Sequence, residues 1–179
     1  MKFKGTILSV AAVLLIVVGM SFLTNQKGNK IAYVKSQDLI YAYEGTLEAQ
    51  QKFNKEKEVW LANVDTLEVN FNRAVNQFNN EYQSMNAKVR AQRSNFLDIQ
   101  QQQLIDYKSA IDEKIKAEDQ KMMQAVLNQV NSFIKRYGKE EGYDVILGTT
   151  LSGSVLYGND KLDITDELLI ALNKNYRGE

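Results

Sequence analysis

The sequence predicts an α+β fold in which a small three-stranded α/β body carries one long inserted antiparallel coiled-coil hairpin. Three observations predict this fold. The 179-residue chain has no proline, so its helices can be long and free of kinks. Residues 46–137 contain no glycine and repeat apolar residues at steps of four and three, the spacing of a coiled coil. Short apolar runs of β-prone residues stand on either side of that stretch.

The N-terminal segment, residues 1–30, indicates export from the cytoplasm. Lys2 and Lys4 precede an apolar run over residues 7–23, and a polar stretch follows, which is the order of an export signal. The run is at the short end of what can span a bilayer as a helix, so a cleaved signal peptide and an uncleaved signal anchor both fit. Because no A-x-A cleavage pattern is present, we slightly favour an anchor that attaches the chain to the inner membrane through residues 7–23. Either alternative places the rest of the chain outside the cytoplasm, in an envelope space.

The stretch over residues 46–137 is predicted to be a hairpin, since each helix of a hairpin covers the apolar stripe of the other. Its tip is expected near residues 84–87, where Ser84 and Asn86 are the best capping residues in the middle of the stretch. Residues 94–95, a serine and an asparagine, are the alternative tip.

The two ends of the remaining chain, residues 31–45 and 138–179, are predicted to form the α/β body. Its expected strands cover residues 31–34, 143–147 and 154–157. Further boundaries come from local signals: a short helix after Ser36, a break or bend at Gly45, a helix end at Tyr137 and Gly138, and a last helix from Asp166 to about Asn173 that Thr165 caps. Three short strands are few for a stable sheet, so we expect the body to mediate self-association.

Composition points away from catalysis. The chain has no histidine and no cysteine, which excludes Ser-His-Asp and Cys-His sites, the usual zinc sites and disulfides. The loop at residues 148–154 lacks the lysine of a phosphate-binding loop. The acidic residues of 160–167 fit turn and capping roles and lack the frame of a calcium-binding loop. We therefore predict no enzymatic activity, no cofactor and no metal.

Charge argues against a nucleic-acid partner, because basic and acidic residues both number 22 and the net charge is zero. Residues 1–30 hold four lysines and no acidic residue, so residues 31–179 carry a net charge of −4.

Several runs resemble the Skp/OmpH family of periplasmic holdase chaperones. The D-V-I-L run at residues 144–147, the V-L-Y run at 155–157 and the D-I-T helix start at 163–165 are similar to that family's closing strand-strand-helix signature. The I-A-Y-V run at residues 31–34 is similar to its opening strand. The resemblance covers residues 31–175, although the coiled-coil middle is generic.

The resemblance implies a jellyfish-like homotrimer whose helical hairpins hang as tentacles around a cavity. Such a cavity holds unfolded outer-membrane and envelope proteins without ATP. Members of this family are often strongly basic, whereas residues 31–179 of this chain carry a net charge of −4. The alternative function is that of a membrane-anchored coiled-coil scaffold subunit of an envelope complex.

Two sets of hairpin residues are the candidates for contact with an unfolded protein. The first set consists of aromatic residues, although such a stripe is more often coiled-coil core: Phe53, Trp60, Phe71, Phe78, Tyr82, Phe96 and Tyr107. Trp60 is the best of them because an indole fits poorly in a narrow two-helix seam. The second set is a basic cluster beside the expected tip, which could meet client carboxylates or anionic lipid and could equally be a solvated face: Lys88, Arg90 and Arg93. The four glutamines of residues 100–103 are expected to be an exposed polar face.

Overall fold

The computed structural model describes residues 29–150, 153 and 155–179. Apart from its last two residues, the predicted export segment lies outside these ranges, and its cleavage or anchoring stays a prediction. Among the helices within the described ranges, none has the length and apolarity needed to cross a membrane.

The described residues form two compact units. The strand unit consists of the described residues through Ser36 together with Ile134–Thr165. The hairpin unit consists of Gln37–Phe133 and Asp166–Glu179. Each unit has buried apolar residues of its own, among them Val34 in the strand unit and Leu168 in the hairpin unit.

The hairpin unit is built from two long helices. Helix α1 (Ser36–Ala42) leads into α2 (Glu44–Glu81), a 3-10 turn covers Tyr82–Ser84, and α3 (Ala87–Glu140) returns. The helical structure is interrupted at Met85 and Asn86. The Asn86 side chain accepts a hydrogen bond from Val89 N at 3.0 Å. This is the N-cap arrangement that an asparagine provides at a helix start.

Gly45 was expected to break the helix, and this is wrong: the break falls at Tyr43, and Gly45 lies inside α2. A side chain at Gly45 would place its Cβ 2.5 Å from the Tyr43 ring, so glycine is required there by close packing. Tyr43 is itself buried, so its ring occupies the space that a side chain at Gly45 would need.

The last helix, α4 (Thr165–Arg177), is one turn longer than the sequence predicted. It joins the start of α2 through side chains: Asn173 accepts a hydrogen bond from Glu44 N at 3.0 Å, and Arg177 pairs with Glu44 at 2.6 Å. The Tyr176 hydroxyl donates to Glu48 at 2.6 Å, and this hydrogen bond raises the pKa of Tyr176 to about 12. These contacts close the base of the hairpin unit, which explains why the helix continues to Arg177.

The strand unit contains a two-stranded parallel sheet of β1 (Ile31–Lys35) and β2 (Val145–Thr149). Ile31 lies opposite Val145, and Lys35 lies opposite Thr149. Alternate residues of β1, Ala32 and Val34, are buried, as the period of two in a strand requires.

The third strand predicted at residues 154–157 is wrong for the residues that are described. Val155, Leu156 and Tyr157 have no strand structure, and Leu156 and Tyr157 are 93% and 87% exposed. A strand needs a neighbouring edge, and the second edge of β1 already contacts Asp163 through Tyr33. The run does not pair with the outer edge of β2 either, since the sheet of the described residues contains only β1 and β2.

The end of α3 also differs from the prediction, because the helix passes through Gly138 and ends at Glu140. Gly142 has a φ of +71°, and Tyr143 N donates to Gly138 O at 2.8 Å, which together form a Schellman-type stop. Because this stop uses Tyr143, the second strand starts two residues later than predicted, at Val145.

Asp163 connects the start of α4 to β1 within the strand unit. Its carboxylate accepts hydrogen bonds from the Thr165 backbone N–H at 3.0 Å and from the Thr165 hydroxyl, and it pairs with Lys35 at 2.9 Å. Partial burial acts to raise the pKa of Asp163, but the Thr165 hydrogen bonds and the Lys35 charge outweigh burial, so this pKa lies below its usual value.

This lowered pKa predicts a pH dependence of stability. The carboxylate stabilises the fold above the ordinary aspartate pKa of about 4, and the stabilisation is lost as pH falls through the lower pKa of the folded state. We expect Asp163→Asn to lower the melting temperature at neutral pH and to flatten its fall on acidification. Melting followed by circular dichroism over a pH series, on both proteins, tests this. Parallel pH curves for the two proteins would contradict it.

Candidate functional site on the helical hairpin

The two long helices meet in an antiparallel seam, which we take as the framework of the candidate site. Three contacts between α2 and α3 fix its register: Glu81 with Arg93 at 2.6 Å, Glu68 with Lys108 at 2.8 Å, and the Lys114 ammonium at 4.3 Å from the centre of the Trp60 ring. A fourth contact joins Tyr43, just before α2, to Gln129 of α3 at 3.3 Å. Ion pairs exposed in this way contribute about 0–1 kcal/mol each, so they set the register more than the stability.

Burial along the seam is uneven. Buried apolar residues are concentrated toward the base of the hairpin: Phe53, Ile111, Val126, Val130 and Phe133. Beyond them, residues 54–84 and 86–110 contain no buried side chain, and Met85 in the turn is the next buried residue. The outer part of the hairpin therefore has a seam whose apolar side chains are only half-covered.

A first depression, the root depression, opens between the helices on the base side of Trp60 and Lys114 and has a volume of about 510 Å³. Its α2 side is formed by Ala49, Lys52, Phe53, Glu56 and Trp60, and its α3 side by Lys114, Glu118, Lys121, Met122 and Ala125. Three lysines and two glutamates surround an apolar floor, so the depression has little net charge.

A second depression, the shaft depression, lies further toward the tip and has a volume of about 310 Å³. It is lined by Leu67, Asn70, Phe71, Gln100, Gln103, Leu104 and Tyr107. The Gln100 carboxamide oxygen is buried there and has no hydrogen-bond partner among the described residues. An unpaired buried polar atom costs about 1–3 kcal/mol, so this acceptor is a local source of instability.

The tip presents fewer free charges than the sequence suggests. Arg93 pairs with Glu81 from the opposite helix, and hydrogen bonds from Gln77 and Arg93 hold the pKa of the Glu81 carboxyl below its usual value. Arg90 donates to Met85 O at 2.9 Å and lies 4.8 Å from the centre of the Tyr82 ring. Two members of the predicted basic cluster thus stabilise the turn, and Lys88 is exposed.

The predicted aromatic residues divide between four surroundings. Phe53 and Trp60 line the root depression, while Phe71 and Tyr107 line the shaft depression. Near the turn, Phe78 packs edge-on against Tyr82, with 5.5 Å between the two ring centres. Phe96 is largely exposed. Contact of any of these residues with an unfolded protein stays a prediction.

Sequence reasoning missed several residues of the two depressions. Lys114, whose ammonium lies over the Trp60 ring, carries no signal of its own, since it is one of many lysines at exposed helical positions. Gln100 was expected on an exposed face but is half-buried in the seam. Its spacing contained the signal, because it lies three residues after Leu97 and four before Leu104.

Comparison with known proteins gives a matching family and a similar solved structure. The model of the family described as outer membrane protein (OmpH-like) matches residues 30–172. A search of curated proteins gives no significant match. The fold is similar to the crystal structure of a candidate outer membrane chaperone (OmpH-like) from Caulobacter crescentus CB15, with a TM-score of 0.74 and 13% identity. That likeness covers 84% of this chain and 88% of the other. The resemblance drawn from the D-V-I-L and D-I-T runs is confirmed.

The unpaired acceptor of Gln100 predicts that the hairpin can be stabilised by a single substitution. Gln100→Leu keeps a similar volume and removes the buried unpaired oxygen, so we expect a gain of about 1 kcal/mol in the free energy of unfolding. Gln101→Leu, at an exposed neighbouring position, is the control and should change little. Thermal melting at one fixed protein concentration measures both. A lower melting temperature for Gln100→Leu than for Gln101→Leu would refute the assignment.

Proposed function

Since the chain belongs to the OmpH-like family of outer membrane proteins, we propose that it is an ATP-independent holdase chaperone of the periplasm. Its clients would be unfolded outer-membrane and other envelope proteins. The observation that carries this proposal is the outer seam of the hairpin, where apolar side chains of residues 54–84 and 86–110 remain half-covered. Exposed apolar surface of this kind on a soluble segment is typical of a binding site for other apolar chains.

Capture by this surface would need no chemical step. Each half-covered side chain offers a weak contact, and many weak contacts along one hairpin add up when a client touches several at once. Binding through scattered apolar contacts also leaves the client sequence largely unspecified, as a holdase for many proteins requires.

The strand unit supports assembly into a trimer as part of this proposal. Its small sheet leaves Val145 and Leu147 exposed, and Leu156 and Tyr157 are exposed almost completely. Two paired strands alone are marginally stable in water. A neighbouring copy that covered these side chains would supply the missing burial and would set several hairpins around one client.

Light scattering of the full chain tests the assembly. We expect a trimer at micromolar concentration, and we expect the double variant Leu156→Ser, Tyr157→Ser to shift it toward monomer, because both side chains would lose their cover. Val59→Ser, at an exposed apolar position on the hairpin, is the control and should leave the mass unchanged. A wild-type chain that scatters only as a monomer would refute the trimer.

Electrostatic attraction is expected to contribute less than apolar contact. Residues 31–179 carry a net charge of −4, and two of the three basic residues at the tip are engaged in the turn. Exposed charges are screened beyond about 8 Å at physiological salt. Client affinity should therefore depend weakly on ionic strength.

Suppression of aggregation is the direct test of the holdase function. A urea-unfolded outer-membrane β-barrel protein is diluted into buffer with and without the full chain, and turbidity is followed without ATP over a salt series. We expect suppression at near-stoichiometric amounts that changes little with salt. No suppression of aggregation at any ratio would refute the function. A steep loss of suppression with rising salt would show that charged contacts contribute more to client binding than apolar ones.

Two variants in the same assay separate apolar from charged contacts. Trp60→Ala should weaken client binding by about 1 kcal/mol, or roughly fivefold, as expected for loss of a large aromatic contact. Replacing Lys88, Arg90 and Arg93 by glutamine should weaken it less. Circular dichroism controls for a disturbed turn, since Arg90 and Arg93 make contacts there.

A further inference from the structure

We propose that the root and shaft depressions form one groove that binds an extended client segment of about ten residues with alternating apolar side chains. This inference deepens the proposed function and rests on it. It assigns the client-binding surface to one face of the hairpin and gives the bound segment a length and a pattern.

The lining residues of the two depressions fall on a single face of each helix. On α2 they recur at steps of three, four or seven: Ala49, Lys52, Glu56, Trp60, Leu67 and Asn70. On α3 the same steps connect Gln100, Gln103, Tyr107, Lys114, Glu118 and Lys121. Steps of three, four and seven residues return to the same side of an α-helix, so both depressions open on the same side of the seam. Phe96, seven residues before Gln103, extends this face toward the tip.

The chemistry of the groove fits an uncharged extended chain. Lysines and glutamates of the root depression nearly balance, which disfavours a partner with a strong net charge. The shaft depression offers the carboxamides of Asn70, Gln100 and Gln103 beside apolar side chains. Carboxamides both donate and accept hydrogen bonds, as backbone amides do. The unpaired oxygen of Gln100 is the acceptor that a backbone N–H of the client would satisfy after a side-chain rotation.

The separation of the two depressions sets the length of the bound segment. Their centres lie about 14 residues apart along α2, or roughly 20 Å at the helical rise. An extended chain covers that distance in about six residues, so a segment of about ten fills both depressions. Transmembrane β-strands have about 9–11 residues with alternating apolar side chains, which gives the length and the pattern that the groove requires.

Fluorescence anisotropy with labelled peptides tests the groove on the full chain. The probes are a ten-residue peptide in which leucine alternates with serine or asparagine, and a five-residue peptide of the same pattern. Because the longer peptide reaches both depressions, it should bind at least about tenfold tighter. Equal affinities of the two peptides would overturn the proposal.

Leu67 and Val69 provide a matched pair of variants, since their side chains are 44% and 47% exposed. Leu67 lines the shaft depression, whereas Val69 lies about 200° further around α2, on the opposite face. Leu67→Ala and Trp60→Ala should each bring the affinity of the ten-residue peptide close to that of the short one, and Val69→Ala should not. Gln100→Leu should weaken peptide binding even where it raises the melting temperature. Equal losses from Leu67→Ala and Val69→Ala would overturn the groove.

Two further results separate this inference from the proposed function. If the chain suppresses aggregation and Leu67→Ala suppresses it equally well with unchanged peptide affinity, the function stands and the groove is wrong. If Leu67→Ala and Trp60→Ala instead lower the mass in light scattering, the groove is covered by a second copy of the chain, and the proposal is overturned. Failure of the wild-type chain to suppress aggregation would count against the function itself.

Discussion

A seam between only two helices cannot remove the apolar side chains of both from water, because each side chain is covered from one direction. In this hairpin the buried residues Val126, Val130 and Phe133 are concentrated toward the base, where Tyr43 and α4 add a third layer to the seam. Further out, no third element among the described residues packs on the helices, and their apolar residues stay half-covered. The same geometry thus gives a stable base and an outer segment that is suited to bind other chains.

Charged residues along the seam keep that exposed segment in register and in solution. Lys108 with Glu68, and Arg93 with Glu81, connect the helices at intervals without adding much stability. Lys114 covers one face of the Trp60 ring, which keeps a large aromatic side chain soluble while leaving it within reach of a partner.

The hairpin was the most predictable part of the fold, since apolar steps of four and three and the absence of proline depend only on local sequence. The sheet was less predictable, because strands depend on distant partners. Val155, Leu156 and Tyr157 have strand composition, yet Asp163 lies against β1 and the run pairs with neither strand of the described sheet. Of the candidate site, the aromatic residues could be named from their spacing. The side of the seam on which the two depressions open could not be predicted. It depends on how Gln100 and Lys114 pack against the facing helix.

The parallel pairing of β1 with β2 has a consequence for the order of folding. Lys30 and Asp144, at the start of this pairing, are 114 residues apart, so in an unfolded chain the closure of so long a loop would be slow. A hairpin that forms first, from contacts local to its turn, shortens the effective loop to the few residues outside its base. If the chain is exported from its N-terminus, as residues 1–30 predict, β1 would emerge long before its partner strand and would remain unpaired until nearly the whole chain had crossed. The proposed holdase would then itself spend its first moments in the envelope with an open strand.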